Sequence, residues 1–143
     1  MSRAHLAGLL VAMIAAGGCS KSPTSPTNTT STTTTPAGTT FVETIDVGGV
    51  KFYSFTTLAE GVVTVMLGSV TVPATNLPAD VAVDVAIGVP SGTDCSPQVS
   101  QTLTAALVPQ LGQDEVPGTY CILVSDAGQL TGPVRFVVRF THS

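Results

Sequence analysis

Val134-Arg135-Phe136-Val137-Val138-Arg139-Phe140-Thr141 is the stretch that decides the fold. Val134, Phe136, Val138 and Phe140 fall on one side of an extended chain, and Arg135, Val137, Arg139 and Thr141 fall on the other. As a strand, the segment can bury one face while two guanidinium groups stay in water. The same period of two recurs upstream. Thr119 to Ser125 puts Tyr120, Ile122 and Val124 on one side. Val81, Val83, Val85 and Ile87 line one face of another strand, with Ala82, Asp84 and Ala86 behind them. From Gly61, Val63, Val65 and Leu67 share a face. Val50 to Thr57 offers Tyr53 and Phe55 to a core. Phe41, Glu43, Ile45 and Val47 alternate with Val42, Thr44 and Asp46, and Leu103, Ala105 and Leu107 suggest one more strand.

Turn formers separate these runs: Gly48-Gly49, Pro73, Pro78, Ser91-Gly92, Pro117-Gly118, Asp126, Gly128 and Gly132-Pro133. They supply the dihedrals that reverse a chain and interrupt strand pairing. No segment after residue 40 keeps a helical period for three turns. About seven short strands within residues 41–143 predict an all-β domain, an antiparallel β-sandwich whose two sheets share one core.

Composition narrows the function. The chain has 143 residues, enough for one domain and a tail. Hydrophobic residues make up 43%, which supports a core. Charged residues are 10%, well below the roughly 25% of ordinary globular chains. All nine carboxylates lie beyond residue 40, whereas Arg3 lies near the start. This acidic balance, with no Trp, argues against nucleic-acid partners, which need a basic face or a stacking platform.

The first residues read as an address. Met1 to His5 carries an amine and Arg3, and Leu6 to Ala16 is an apolar run of 11 residues. That is too short to span a hydrocarbon layer, which takes roughly 20 helical residues, and it fits the core of a secretory signal. Ala16-Gly17-Gly18-Cys19 follows and resembles the lipobox of bacterial lipoproteins, with Ala16 where that pattern prefers Leu. The resemblance implies cleavage after residue 18, a thioether-linked lipid on Cys19 and attachment of the chain to a membrane. Ser20, rather than Asp, follows the cysteine, which by the same resemblance implies an outer-membrane destination in the bacterial envelope. Ordinary signal cleavage that leaves a free thiol is the rival reading. Each buried methylene is worth roughly 0.8 kcal/mol, so two or three acyl chains would hold the protein in place.

Residues 22–40, SPTSPTNTTSTTTTPAGTT, contain no hydrophobic period. Such a stretch buries too little apolar surface to offset the entropy of ordering it. It is expected to be a disordered linker over residues 19–40, and its 19 residues from Ser22 would reach at most about 65 Å if stretched.

Three cysteines in an exported chain leave one over. A lipid on Cys19 leaves Cys95 and Cys121 as a disulfide pair. Zinc would need two further ligands, and none is suitably spaced. Tyr120 directly precedes Cys121, so the two side chains point to opposite faces of their strand. The immunoglobulin pattern, with Tyr two residues before the second Cys and a Trp between the cysteines, is absent. The disulfide is therefore expected to pin a long loop to a sheet rather than to cross the core.

The order Val50-Lys51-Phe52-Tyr53-Ser54-Phe55, then Gly61-Val62-Val63-Thr64-Val65-Met66-Leu67, then Gly118-Thr119-Tyr120-Cys121-Ile122-Leu123-Val124 and the closing Gly132-Pro133-Val134-Arg135-Phe136 resembles the bacterial pre-peptidase C-terminal domain. That family implies a jelly-roll-like sandwich, usually appended to secreted enzymes, with a targeting or binding role. Some of its members bind calcium, but no residue-by-residue match carries that function here.

Candidate chemistry is sparse. His142 is the sole histidine after the leader and sits at the tail, where residues fray. Asp84 points outward from an apolar strand. Asp94, Asp114-Glu115 and Asp126 lie in or near turns and could form a Ca²⁺ site only if those turns meet. No catalytic residue, metal ligand or cofactor is assigned. Arg135 and Arg139 share a face and could grip an anionic partner. Ala74-Thr75-Asn76 and a loop from Gly88 to Gln101 could form a recognition surface. The expected protein is a lipid-anchored, non-enzymatic binding module for an extracellular protein or polysaccharide. A structural envelope lipoprotein is the alternative, and a calcium-binding accessory module of secreted enzymes a more distant one.

Overall fold

The computed structural model describes residues 37–143. The signal segment 1–18, Cys19 and most of the 19–40 linker lie outside the described residues. Eight strands follow one another: β1 (Ala37–Ile45), β2 (Val50–Thr57), β3 (Gly61–Thr71), β4 (Val83–Ser91), β5 (Asp94–Leu103), β6 (Leu111–Glu115), β7 (Gly118–Asp126) and β8 (Val134–His142). They form two four-stranded antiparallel sheets, ordered β1-β8-β3-β6 and β2-β7-β4-β5. The chain changes sheet at every connection except the β4–β5 hairpin. That is the strand order of a jelly roll, an eight-stranded antiparallel sandwich.

Alternation places the core where the sequence predicts it. Val134, Phe136, Val138 and Phe140 of β8 are buried, as are Val63, Val65 and Leu67 of β3. Val83, Val85 and Ile87 of β4 face them from the other sheet, with Ile122 and Val124 of β7. Phe136 packs edge-on against Phe41 with ring centroids 5.1 Å apart, and Phe55 lies 4.8 Å from Phe140. Each side chain of this size contributes about 1.5–3 kcal/mol when removed from water.

Several expectations are corrected at the margins. Ala37–Thr40 are not linker: they pair with Arg139–His142, and this pairing extends β1 four residues before the expected domain start. Hydrogen bonding to β8 orders a segment too polar to order itself. Tyr53 is 40% exposed, because β2 is an edge strand. Its ring still covers Phe41 at 5.6 Å and Phe140 at 5.9 Å. Val47 is exposed in the β1–β2 turn. Leu103 is the last residue of β5, so Ala105 and Leu107 belong to no strand, and Leu107 is 88% exposed.

The expected loop from Gly88 to Gln101 is instead the β4–β5 hairpin, which turns at Gly92 with φ 63°. A register shift follows Ile87, where Gly88 pairs with Pro97 on one side and Cys121 on the other. A Cβ on Gly88 would collide with the Ser96 carbonyl and stand 3.0 Å from the Pro97 Cα. The bare glycine therefore lets β5 curl over β4 and reach β7. Cys95 and Cys121 are joined there by a disulfide, with their Cα atoms 6.1 Å apart. The bond avoids the core, as expected, but it ties strand to strand rather than loop to sheet. Cys95, Cys121, Ala86 and Leu123, with Phe52 against them, form a small apolar cluster separate from the main core. Tyr120 is in that main core, on the opposite side of β7 from Cys121.

Candidate functional site

Two surfaces stand out: a cleft at one end of the sandwich and the outer face of the first sheet. The cleft lies between the β3–β4 and β7–β8 connections. Val72 opens a folded tip in the first of these, accepting hydrogen bonds from the Thr75 and Asn76 amides at 3.2 and 2.8 Å. Asn76 takes a left-handed φ of 56°, a conformation that Asn tolerates better than most residues. Thr71 bridges to Pro78 and closes the tip. The expected Ala74-Thr75-Asn76 surface is this tip, and Ala74 lines the cleft.

The opposite wall is held by Asp126. One carboxylate oxygen accepts from the amides of Gly128, Gln129 and Leu130 at 2.8, 3.0 and 3.2 Å. The other accepts from the Gly48 amide at 2.9 Å and so joins the β1–β2 turn to the end of β7. These amides, Gly48 foremost, hold the carboxyl below the usual carboxylate range, against a smaller opposing effect of burial. The cleft between the walls encloses about 450 Å³ and is lined by Val72, Pro73, Ala79, Val81, Leu130 and Pro133 among others. Its lining is apolar apart from Thr131 and the backbone, which suits it to an apolar group.

A pH dependence follows. A carboxyl with a depressed folded-state pKa stabilises the fold fully above its unfolded-state pKa. That contribution is lost as pH falls through the lower, folded-state value. Unfolding midpoints measured from neutral pH down through the carboxylate range are expected to fall more steeply for the wild type than for Asp126→Asn. Parallel curves would remove Asp126 from the acid response.

The outer face of the first sheet is different in kind. On β8, Arg139 sits between Thr40 of β1 and Met66 of β3, and Arg135 sits between Thr44 and Thr71. Val42, Val137 and Ser69 form the row between them. Thr64 and Thr141 share a 2.7 Å hydroxyl hydrogen bond beside Arg139. An open depression of about 370 Å³ is lined there by Thr40, Thr64, Met66, Pro109, Arg139 and Thr141. Both arginines are exposed. The sequence predicted their shared face, but not the threonines and the methionine that cross-strand pairing sets beside them.

The remaining candidates fall apart or change character. His142 is not a solvated tail residue. It ends β8, stacks 5.9 Å from Phe140 and lies 5.1 Å from Phe55, and its Nδ1 is buried without a hydrogen-bond partner. Asp84 accepts a hydrogen bond from the Thr102 hydroxyl across the β4–β5 pair. Glu115 is buried near Tyr120, whose hydroxyl donates to the Val116 carbonyl at 2.9 Å. Glu115 is also the main cause of the rise in the Tyr120 pKa. Asp126 closes β7 at the end away from Gly118, whereas Asp114 and Glu115 precede Gly118 directly. Among the described residues, no three His, Cys, Asp or Glu side chains gather in a way that could hold a metal ion. No helix among the described residues is long and apolar enough to cross a membrane.

Compared with known proteins, the chain matches no family model and no curated sequence.

Proposed function

We propose that this chain is a bacterial envelope lipoprotein, anchored through lipid on Cys19, whose jelly-roll domain is a non-catalytic module that binds an extracellular protein or polysaccharide. The carrying observation is the cysteine pairing. Cys95 and Cys121 are joined, which leaves Cys19 as the odd cysteine of three, directly after Ala16-Gly17-Gly18. An apolar run of signal-peptide length precedes it, and a Ser, Thr and Pro tract leads from it to Ala37.

Within the domain, strand direction sets the apolar cleft far from the first described residue. The described chain enters at Ala37, paired with His142, whereas Ile45 pairs with Val134 beside the apolar cleft. Eight strand steps, about 27 Å, separate the point of entry from the cleft. The cleft therefore lies at the end of the domain opposite Ala37, the first described residue. The resemblance to pre-peptidase C-terminal domains adds an accessory, adhesive role without naming a ligand.

Metabolic labelling with a fatty-acid analogue tests the anchor. The wild type is expected to take up label and Cys19→Ala is expected to take up none. An unlabelled wild type, or equal labelling of both, would defeat the reading.

A further inference from the structure

We propose that the outer face of the first sheet, centred on Arg139 and Arg135, binds a linear carboxylated polysaccharide. This rests on the binding-module reading above and names the class of partner.

Charge distribution is the first ground. Residues 37–143 hold three basic side chains, Lys51, Arg135 and Arg139, against nine carboxylates. Two of the three basic residues share one strand face. Across β1, β8 and β3 that face carries no carboxylate, because the residues paired with Arg135, Val137, Arg139 and Thr141 are Gly38, Thr40, Val42 and Thr44 on one side and Thr64, Met66, Ser69 and Thr71 on the other. The acidic residues lie off this three-strand face: Asp114 is on β6, opposite Val62 of β3, and Asp80, in the β3–β4 connection, borders the Ser69 and Thr71 end of the face. A strongly acidic domain thus keeps one local patch suited to an anion.

Geometry is the second ground. The two arginines are four residues apart on one strand, about 13 Å along it. An extended polyanion lying along β8 can meet both. A guanidinium binds a carboxylate through two parallel hydrogen bonds. Around Arg139, the hydroxyls of Thr40, Thr64 and Thr141 can exchange hydrogen bonds with sugar hydroxyls. Met66 and Pro109 line the depression and can offer apolar contact to the C–H face of a ring.

Other occupants fit less well. Two cations in a domain of net negative charge give little counterion release, which nucleic-acid affinity depends on. Each basic residue near an anionic bilayer is worth about 1 kcal/mol, and the surplus of carboxylates opposes that attraction. A protein interface would need buried aromatic or large apolar anchors, and the central row offers only Val42 and Val137 beside Ser69.

The test uses the purified full chain in non-ionic detergent, run by affinity electrophoresis through gels containing polygalacturonate. Retardation of the wild type is expected. Arg139→Gln and Arg135→Gln should each weaken it about tenfold, the effect of losing one charged hydrogen-bonding group. Arg139→Lys, which keeps the charge but loses the fork, should fall between. Methyl-esterified polymer should not retard the protein. The proposal is overturned by absence of wild-type retardation, by glutamine variants that run like the wild type, by equal retention on the esterified polymer, or by preferential binding to phosphatidylglycerol vesicles. Labelled Cys19 without glycan retention removes this inference alone, and unlabelled Cys19 with retention removes the anchor alone.

Discussion

Phe136→Ala is expected to lose about 3–5 kcal/mol of folding stability. Phe136 is fully buried on β8, the strand that joins β1 to β3. Its neighbours across the two pairings are Glu43 and Val70, and its ring meets Phe41 nearly at right angles. Truncation removes the transfer energy of the ring and leaves a cavity that paired strands on both sides cannot close. Domains of this size are stable by only about 5–15 kcal/mol, so the loss is a large share of the total. Urea unfolding of the wild type, Phe136→Ala and Val137→Ala checks it. Val137 is one residue away on the outer face, half-buried, and its truncation should cost well under half as much. Equal losses at the two positions would mean that β8 is paired one residue out of register, since such a slip exchanges its faces.

The double variant Cys95→Ala/Cys121→Ala should lose roughly 3.5 kcal/mol, by the chain-entropy model for a cross-link of this span. The cysteines are 26 positions apart, and the loop between them contains most of β5, all of β6 and the start of β7. Without the bond, the unfolded chain regains the freedom to separate these segments. The native state is affected too, because Cys95 and Cys121 are both buried in the small cluster that holds the curled end of β5 against β7. Replacing both residues avoids leaving a free thiol. A midpoint in urea matching the wild type's, or no response of the wild type to reductant, would show that the bond does not stabilise this fold. Hydrogen exchange should locate the added opening in β5, an edge strand held on one side only.

Neither expectation needs a partner. Binding at the arginine face and the acid response of Asp126 concern exposed or half-exposed groups. Their effects should therefore be separable from those of the core variants, in line with the additivity of distant sites.

Much of this architecture is written in local pattern. The inner faces of β3, β4, β7 and β8 follow from alternation alone, because a half-buried strand must repeat every two residues. The opposite orientations of Tyr120 and Cys121, and the common face of Arg135 and Arg139, follow from the same rule. Pairing of Cys95 with Cys121 follows from counting thiols in a chain that reads as exported.

Other features depend on neighbours distant in sequence. β5 reads DCSPQVSQTL, and only Cys95 and Leu103 are buried along it. It is a strand because β4 pairs with it, and no hydrophobic period marks it. β6, LGQDE, is similarly short and polar, held by five pairings to β3. Ala37–Thr40 look like linker and become strand once β8 offers backbone partners. Tyr53 and Phe55 look equivalent, yet the edge position leaves only Phe55 buried. Periodicity reports which way a side chain points relative to its own backbone. It carries no information about which strand lies alongside, and so sheet order, edges, the reach of β5 over Gly88 and the threonines beside Arg139 were decided by long-range pairing alone.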